Sequence, residues 1–136
     1  MQRRTFLTSA AAITLAGPAF AGIGTAYTPG LVQKELDAGK TVFVDFYADW
    51  CTTCRRQERV INALLSQNAA YEENISFVAV DWDEHARSDL SVRLNIPRRS
   101  TLVVLRGDDE LGRIVAGTGE TEIKALLDTA LTSATA

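Results

Sequence analysis

The sequence predicts an α/β fold, with a mixed central sheet of about four strands and helices on both faces. Three strand-length runs, at residues 41–47, 75–81 and 101–105, are rich in β-branched and aromatic residues. The strongest helical stripe, at residues 123–131, follows the last of them. The order of elements is helix, then β-α-β-α-β-β-α, which is typical of an α/β domain.

A first helix is predicted from Thr28 to Ala38, because Thr28 is a good cap and Pro29 suits a first turn. Gly39 would end this helix. The run TVFVDFY at 41–47 is nearly continuous in apolar residues, which predicts a central strand covered on both faces.

A second helix is predicted to begin at the two cysteines. Its arginines and Glu58 are expected to face water, and its apolar side would consist of Cys54, Ile61, Leu64 and Leu65. After the strand at 75–81, a short amphipathic helix is predicted at 86–94. The turn sequence GDD after the strand at 101–105 predicts a hairpin whose second strand covers 111–116.

Residues 1–21 are predicted to be a cleaved export signal, ahead of a single domain at 22–136. A basic start precedes the mostly apolar stretch Phe6–Leu15, and Ala19-Phe20-Ala21 has the small-x-small form of a cleavage site. Arg3-Arg4 resembles the start of a twin-arginine signal, and an ordinary secretory signal is the alternative. Both routes predict a periplasmic location in a bacterial envelope.

The charge balance excludes two classes of partner. Removing residues 1–21 takes away two arginines and no acidic residue, which leaves 12 basic and 17 acidic side chains. A nucleic-acid partner or a polybasic membrane anchor would need a basic face. No apolar run approaches the roughly 18 residues of a membrane-spanning helix, so the mature protein is not expected to be embedded in a membrane.

The only two cysteines form the motif Cys51-Thr52-Thr53-Cys54. A structural disulfide usually closes a longer loop, because it stabilises the fold by constraining the unfolded chain. A pair separated by two residues therefore favours a redox or a metal-binding role.

The segment VDFYADWCTTC, residues 44–54, resembles the active-site segment of thioredoxins. The order of elements matches that fold over roughly residues 28–132. The version Tyr-Ala-Asp-Trp-Cys is especially similar to the periplasmic thioredoxin-like domain of the membrane electron transporters in the disulfide-bond system. The resemblance implies a thioredoxin-like fold and a thiol–disulfide oxidoreductase whose redox centre is the cysteine pair, without a further cofactor.

The chemistry of disulfide exchange assigns roles to these residues. A thiolate is the attacking species, and Cys51 would lie at a helix start, where free N–H groups stabilise an anion. Cys51 is therefore the predicted nucleophile, exposed at the helix tip, and Cys54 the resolving thiol. The resemblance implies that Asp45 is a buried carboxylate that helps to move a proton from Cys54; a solvated Asp45 is the alternative. Trp50 is expected to offer a contact surface, with plain packing as the alternative.

The loop before the third long strand departs from the thioredoxin pattern. The family usually has a cis-proline followed by Thr, facing the cysteines. Alignment without gaps on Thr101 puts Ser100 in that place and Pro97 three residues early, whereas an insertion would keep Pro97 as the cis residue. With Ser100 there, the Arg99–Ser100 bond is predicted to be trans, because a cis bond before Ser costs about 3 kcal/mol. The Ser100 hydroxyl would then face the thiols.

The predicted substrate-binding residues are Trp50, Arg99, Ser100 and Thr101. Arg98 and Arg99 would also stabilise the thiolate and attract an acidic partner. The resemblance and the export signal together predict a periplasmic reductase of protein disulfides, with a membrane thiol transporter as electron donor. The alternative is a protein that holds copper or an iron–sulfur cluster on the same two cysteines.

No metal site is predicted elsewhere in the chain. The run Asp81-Trp82-Asp83-Glu84-His85 contains the only histidine and invites interpretation as a metal site. Its predicted position after a strand favours a solvated loop.

Overall fold

The computed structural model describes residues 22–136, and the predicted export signal at residues 1–21 lies outside them. Five strands form one sheet in the order β1-β3-β2-β4-β5. These strands are β1 (Thr25–Ala26), β2 (Thr41–Tyr47), β3 (Ser76–Asp81), β4 (Thr101–Arg106) and β5 (Asp109–Val115). The pairs β1–β3 and β2–β3 are parallel, and β4 is antiparallel to both β2 and β5. The predicted mixed sheet is confirmed, with β1 as an additional strand whose two residues are too few to form a recognisable pattern.

Six helices surround the sheet in the described part of the chain. They are α1 (Leu31–Asp37), α2 (Thr52–Gln67), α3 (Ala70–Asn74), α4 (Trp82–His85), α5 (Asp89–Arg93) and α6 (Glu120–Ala134). The predicted helices at the cysteines and near the carboxyl end are confirmed, and α3 is an addition to the predicted elements.

Two predicted helices differ from the structure. The helix α1 begins at Leu31 instead of Thr28, because Gly30 takes the cap position with a left-handed φ of 88°. The helix expected at 86–94 is shorter and forms α5, because Ser88 takes the cap position and accepts a hydrogen bond from the Ser91 amide. The helix α4, which Asp81 caps, precedes it and lies outside the predicted range.

The central strand β2 separates two apolar cores. All seven of its residues are buried, as its nearly continuous apolarity predicts. On one face, Phe43 packs among residues of α2, α3 and α6. On the other face, Val42, Val44 and Phe46 pack among residues of α1 and α5. Because side chains alternate along a strand, Asp45 points to the same face as Phe43.

The pairing of β2 with β4 brings distant parts of the chain to one edge of the sheet. Phe46 lies opposite Thr101, and Asp45 lies opposite Leu102. The end of β2, which leads to the cysteines, therefore adjoins the loop that precedes β4. This edge contains the candidate site.

The chain approaches β3 very closely at Gly24, the residue just before β1. Gly24 has a φ of 96°, and a Cβ atom there would overlap the backbone carbonyl of Phe77. Gly39, after α1, has a similar φ of 78°, but a Cβ atom there would have no neighbouring atom within 4 Å. The two glycines thus share a backbone conformation and differ in the space around them.

We expect Gly24→Ala to destabilise the protein more than Gly39→Ala. An alanine in the left-handed region costs about 1–2 kcal/mol, and this is the whole cost at Gly39. At Gly24 the overlap with Phe77 adds a comparable or larger amount. Urea denaturation of both variants measures the difference in the free energy of unfolding, and equal losses would show that β1 does not need its close approach to β3.

Candidate active site

The two cysteines lie at the amino-terminal end of α2. Cys51 is the N-cap residue, and its Sγ accepts a hydrogen bond from the Cys54 amide at 3.1 Å. Cys51 and Cys54 form a disulfide, with their Cα atoms 5.2 Å apart. The prediction that the helix begins at the cysteines is confirmed. The sulfur of Cys51 therefore lies where the unpaired N–H groups of a helix stabilise negative charge.

The predicted exposure of Cys51 is wrong. Cys51 is only 3% exposed and Cys54 is fully buried. The cap hydrogen bond turns the Cys51 side chain back toward the helix, where it meets the loop that precedes β4. Helix position alone predicts a sulfur at the surface, whereas contacts with this distant loop cover it.

Ser100 faces both sulfurs. Its Oγ lies 3.0 Å from Cys51 Sγ and 3.1 Å from Cys54 Sγ, and its side chain is fully buried. The Arg99–Ser100 bond is trans, as are the other peptide bonds of residues 22–136. The prediction that Ser100 takes the place opposite the cysteines is confirmed, and Pro97 lies exposed three residues earlier.

Three hydrogen bonds to its backbone groups hold Ser100 in this position. Its amide donates to the Phe46 carbonyl at 2.7 Å. Its carbonyl accepts from the Ala116 amide at 2.8 Å and from Gln57 Nε2 at 3.0 Å. Ser100 has a φ of 62°, which non-glycine residues adopt infrequently. Gln57 also donates to the Gly117 carbonyl at 3.0 Å, so this buried amide of α2 joins the two loops beside the disulfide.

Asp45 is a buried carboxyl group. It is 1% exposed, which excludes the solvated alternative. Burial raises the pKa of Asp45 to about 7, although the hydrogen bond from the Ile23 amide acts in the opposite direction. That amide donates to Oδ2 at 3.2 Å, and Oδ1 has no hydrogen-bond partner in the described part of the chain. Asp45 can therefore exchange a proton near neutral pH.

Glu58 is a second buried acid, and the prediction that it faces water is wrong. It is 5% exposed, and its Oε1 has no hydrogen-bond partner within residues 22–136. Burial raises its pKa to about 8, with a further contribution from the negative charge of Asp45. The sequence spacing does indicate that Glu58 is buried, because it lies four residues after Cys54 and three before Ile61 on the buried stripe of α2.

Trp50 presents an aromatic face beside the disulfide. It is 57% exposed, so plain packing does not account for it. Its Nε1 donates to Asp83 Oδ2 at 3.0 Å, and the Arg99 guanidinium carbon lies 4.2 Å from the ring centre. These contacts hold the indole in a fixed orientation while leaving much of its surface open.

The remaining residues of the loop stabilise one another. Arg98 Nε donates to the Arg99 carbonyl at 3.1 Å, and the buried Thr101 hydroxyl donates to the Arg98 carbonyl at 2.7 Å. The side chain of Thr101 thus holds the loop in shape. Substrate binding by Trp50, Arg99, Ser100 and Thr101 stays a prediction, as do the catalytic roles of Cys51, Cys54 and Asp45.

The described residues do not assemble further metal ligands around the sulfurs. Among residues 22–136, no group of three or more His, Cys, Asp or Glu side chains is arranged to hold a metal ion. The copper or iron–sulfur alternative therefore has only Cys51 and Cys54 as protein ligands there. The run predicted as a solvated loop forms α4 instead, where Asp83 binds Trp50 and the ring of His85 packs edge-on against Tyr27.

Comparison with known proteins points to one family. The family model described as Thioredoxin matches residues 28–129. Thioredoxin 1 of Nostoc sp. is 32% identical over 71% of this chain and 85% of its own length. The mitochondrial Thioredoxin-2 of Schizosaccharomyces pombe is 35% identical over 63% of this chain, and the match spans only 60% of that protein.

Solved structures give the same result. The protein Trxlp from Edwardsiella tarda is 27% identical, with a TM-score of 0.64 over 75% of this chain and 96% of its own. A thioredoxin from Nicotiana alata is 25% identical, with a TM-score of 0.61 over 80% of this chain and 93% of its own.

Replacing Asp45 with Asn should stabilise the oxidised protein, and more so at high pH. An unfolded Asp ionises near pH 3.8, whereas folded Asp45 ionises only near pH 7. Between these values the folded state binds the additional proton, so the wild-type protein loses stability as the pH rises from about 4 to about 7. Above that range the wild-type protein has lost about 2–4 kcal/mol of its free energy of unfolding.

Urea denaturation at pH 4 and pH 8 tests this expectation. The gain in the free energy of unfolding for Asp45→Asn should be several-fold larger at pH 8. Asp108→Asn, in the exposed turn between β4 and β5, is the matched control and should change little at either pH. A gain of equal size at both values would mean that Asp45 is not a protonated acid in the folded protein.

Proposed function

The chain belongs to the thioredoxin family, and from that premise we propose that it reduces protein disulfides in the bacterial periplasm. It is a thiol–disulfide oxidoreductase with Cys51-Thr52-Thr53-Cys54 as its CxxC pair. The observation that carries the proposal is the Cys51–Cys54 disulfide at the amino-terminal end of α2, with the acid Asp45 buried in the same region.

The geometry supports a two-step exchange. In the reduced protein, the Cys51 thiolate attacks a substrate disulfide, forms a mixed disulfide and releases one substrate sulfur as a thiolate. Cys54 then loses its proton and attacks Cys51 Sγ, which releases the second substrate sulfur and forms the Cys51–Cys54 disulfide. Two electrons pass to the substrate. Asp45, with a pKa raised by burial to about 7, is suited to receive the proton of Cys54 at neutral pH.

Export is supported by the sequence at the amino terminus. Residues 1–21 combine two arginines, an apolar stretch and a small-x-small site. Gly22 and Ile23 pack on the domain, where a Cβ on Gly22 would meet Tyr47 and the Ile23 amide binds Asp45. Cleavage after Ala21 would leave these contacts intact. Within residues 22–136, no helix has the length and apolar character needed to cross a membrane.

The reductive direction is supported by the segment Tyr47–Cys51. Its sequence, YADWC, is similar to the periplasmic thioredoxin-like domain of membrane electron transporters. A membrane thiol transporter of that kind is the proposed electron donor, and envelope proteins with oxidised cysteines are the proposed substrates. The exposed face of Trp50, with Arg99 stacked on it, is the proposed contact surface for both.

Replacing Cys54 with Ser should trap substrates as mixed disulfides. The variant keeps the nucleophile Cys51 but lacks the thiol that releases the captured partner. Non-reducing electrophoresis and mass spectrometry of intact cells should identify disulfide-linked envelope proteins. Cys51→Ser is the matched control, since it keeps one cysteine in the same motif. Equal trapping by the control would contradict the assignment of Cys51, and exclusively cytoplasmic partners would contradict the proposed compartment.

The reduction potential of the Cys51–Cys54 couple tests the direction. Equilibration of the purified protein with glutathione buffers should give a value well below that of the oxidising pathway. A value of about −120 mV, which characterises a strong periplasmic oxidant, would overturn the reductase assignment while leaving the exchange chemistry intact.

A further inference from the structure

We propose that Ser100 is a catalytic residue whose hydroxyl binds the reacting sulfurs, donating to the Cys51 thiolate and accepting from the Cys54 thiol in the reduced protein. This proposal rests on the thiol–disulfide chemistry of the pair. It does not depend on the compartment or on the direction of electron flow.

The hydroxyl is placed almost equally between the two sulfurs. Ser100 Oγ lies 3.0 Å from Cys51 Sγ and 3.1 Å from Cys54 Sγ. A hydroxyl has one hydrogen to donate and lone pairs with which to accept. In the disulfide neither sulfur carries a hydrogen, so the hydroxyl donates to one sulfur at a time. Reduction adds two electrons and leaves a proton on one sulfur, so the hydroxyl can then both donate and accept.

Two observations place the negative charge on Cys51. The Cys54 amide already donates to Cys51 Sγ at 3.1 Å, and Cys51 caps a helix of 16 residues. The Ser100 hydroxyl would be a second donor to the same sulfur, and hydrogen bonds to charged acceptors are the stronger kind. Cys54 is fully buried, and burial disfavours an anion there. The thiol of Cys54 therefore keeps its proton and donates it toward Ser100 Oγ.

The same hydroxyl serves the second step of the exchange. Once Cys51 is joined to a substrate sulfur, it carries no charge and no longer needs the donor. Cys54 then passes its proton to the Asp45 carboxylate, and the Ser100 hydroxyl can turn to the new Cys54 thiolate at 3.1 Å. Attack of this thiolate on Cys51 Sγ forms the intramolecular disulfide and expels the second substrate sulfur, which takes a proton from water.

The backbone of Ser100 leaves this hydroxyl little freedom to move away. Its amide and carbonyl bind Phe46, Ala116 and Gln57, which belong to β2, the segment after β5, and α2. The side chain is fully buried, so water does not compete for the sulfurs from that side. Gln57 is a positioning residue in this arrangement, because it acts on the sulfurs only through Ser100.

Ser100→Ala and Ser100→Gly together separate the hydroxyl from the backbone. Both variants remove the donor, but glycine adopts the φ of 62° without the steric cost that alanine, like serine, incurs there. Their stabilities should therefore differ, while their effect on Cys51 should be the same. Ser91→Ala is the matched control, since it removes another buried hydroxyl, which donates to the His85 carbonyl at 2.7 Å.

The readout is the pH dependence of Cys51 alkylation by iodoacetamide in the reduced proteins, followed by mass spectrometry. Loss of a hydrogen bond to a charged sulfur should lower the acid dissociation constant of Cys51 about tenfold or more in both Ser100 variants. The control should match the wild-type protein. Other charged groups near the pair are common to all the variants and do not distinguish them: Asp45, Asp49, Arg55, Glu58 and Arg99.

The glutathione equilibrium gives an independent check. If the hydroxyl stabilises the reduced thiolate, its loss should lower the reduction potential, by about 30 mV for each tenfold change in the equilibrium constant. An unchanged Cys51 pKa in both Ser100 variants would overturn the proposal. A shift in Ser100→Ala that is absent in Ser100→Gly would also overturn it, since the cause would then be the backbone.

A failure of the proposed function is distinguishable from a failure of this inference. If the wild-type protein does not reduce insulin disulfides but the pKa pattern holds, the reductase assignment fails and the role of Ser100 stands. If both Ser100 variants reduce insulin as fast as the wild-type protein does, and their Cys51 pKa is unchanged, the reductase assignment stands and the role of Ser100 fails.

Discussion

The antiparallel pairing of β2 with β4 is the constraint on which the site depends. The register that sets Phe46 opposite Thr101 places the Ser100 amide 2.7 Å from the Phe46 carbonyl. From there the Ser100 hydroxyl reaches both sulfurs, which follow β2 in the chain. A slip of one residue in this register would turn every β2 side chain to the opposite face and move Asp45 into the wrong core. The two cores on either side of β2 therefore fix the chemistry as well as the fold.

Two acids, Asp45 from β2 and Glu58 from α2, lie buried in the half of the molecule that carries the disulfide. Each has an oxygen without a hydrogen-bond partner among residues 22–136, and burial raises the pKa of each toward or above neutrality. Such groups destabilise a folded protein when they ionise, so packing alone does not explain their presence. Buried acids that cost stability in this way are expected where a site needs groups that gain and lose protons.

The sequence predicts a structural feature best when the residues that cause it lie close together in the chain. The strand at 41–47 and the helix from the cysteines follow from the spacing of apolar residues along the chain. The place of Ser100 follows from the alignment of Thr101 with the thioredoxin pattern. The burial of Cys51 does not follow from any such signal, because a loop about 50 residues away covers it. The charge of Glu58 wrongly suggests an exposed position, although its spacing from Cys54 puts it on the buried stripe of α2.

The hydrogen bond from Ile23 to Asp45 makes residues before the family match part of the domain that surrounds this acid. The family match starts at residue 28, whereas this amide contacts the acid from five residues earlier. A truncated protein cut at the family boundary would keep the sheet strands β2 to β5 and the dithiol, but it would admit solvent to the carboxyl group. Hydration would return the proton affinity of Asp45 toward that of an ordinary aspartate. The segment that contains Ile23 thus helps to shield this acid from solvent, and its removal would change the carboxyl group while sparing most of the sheet.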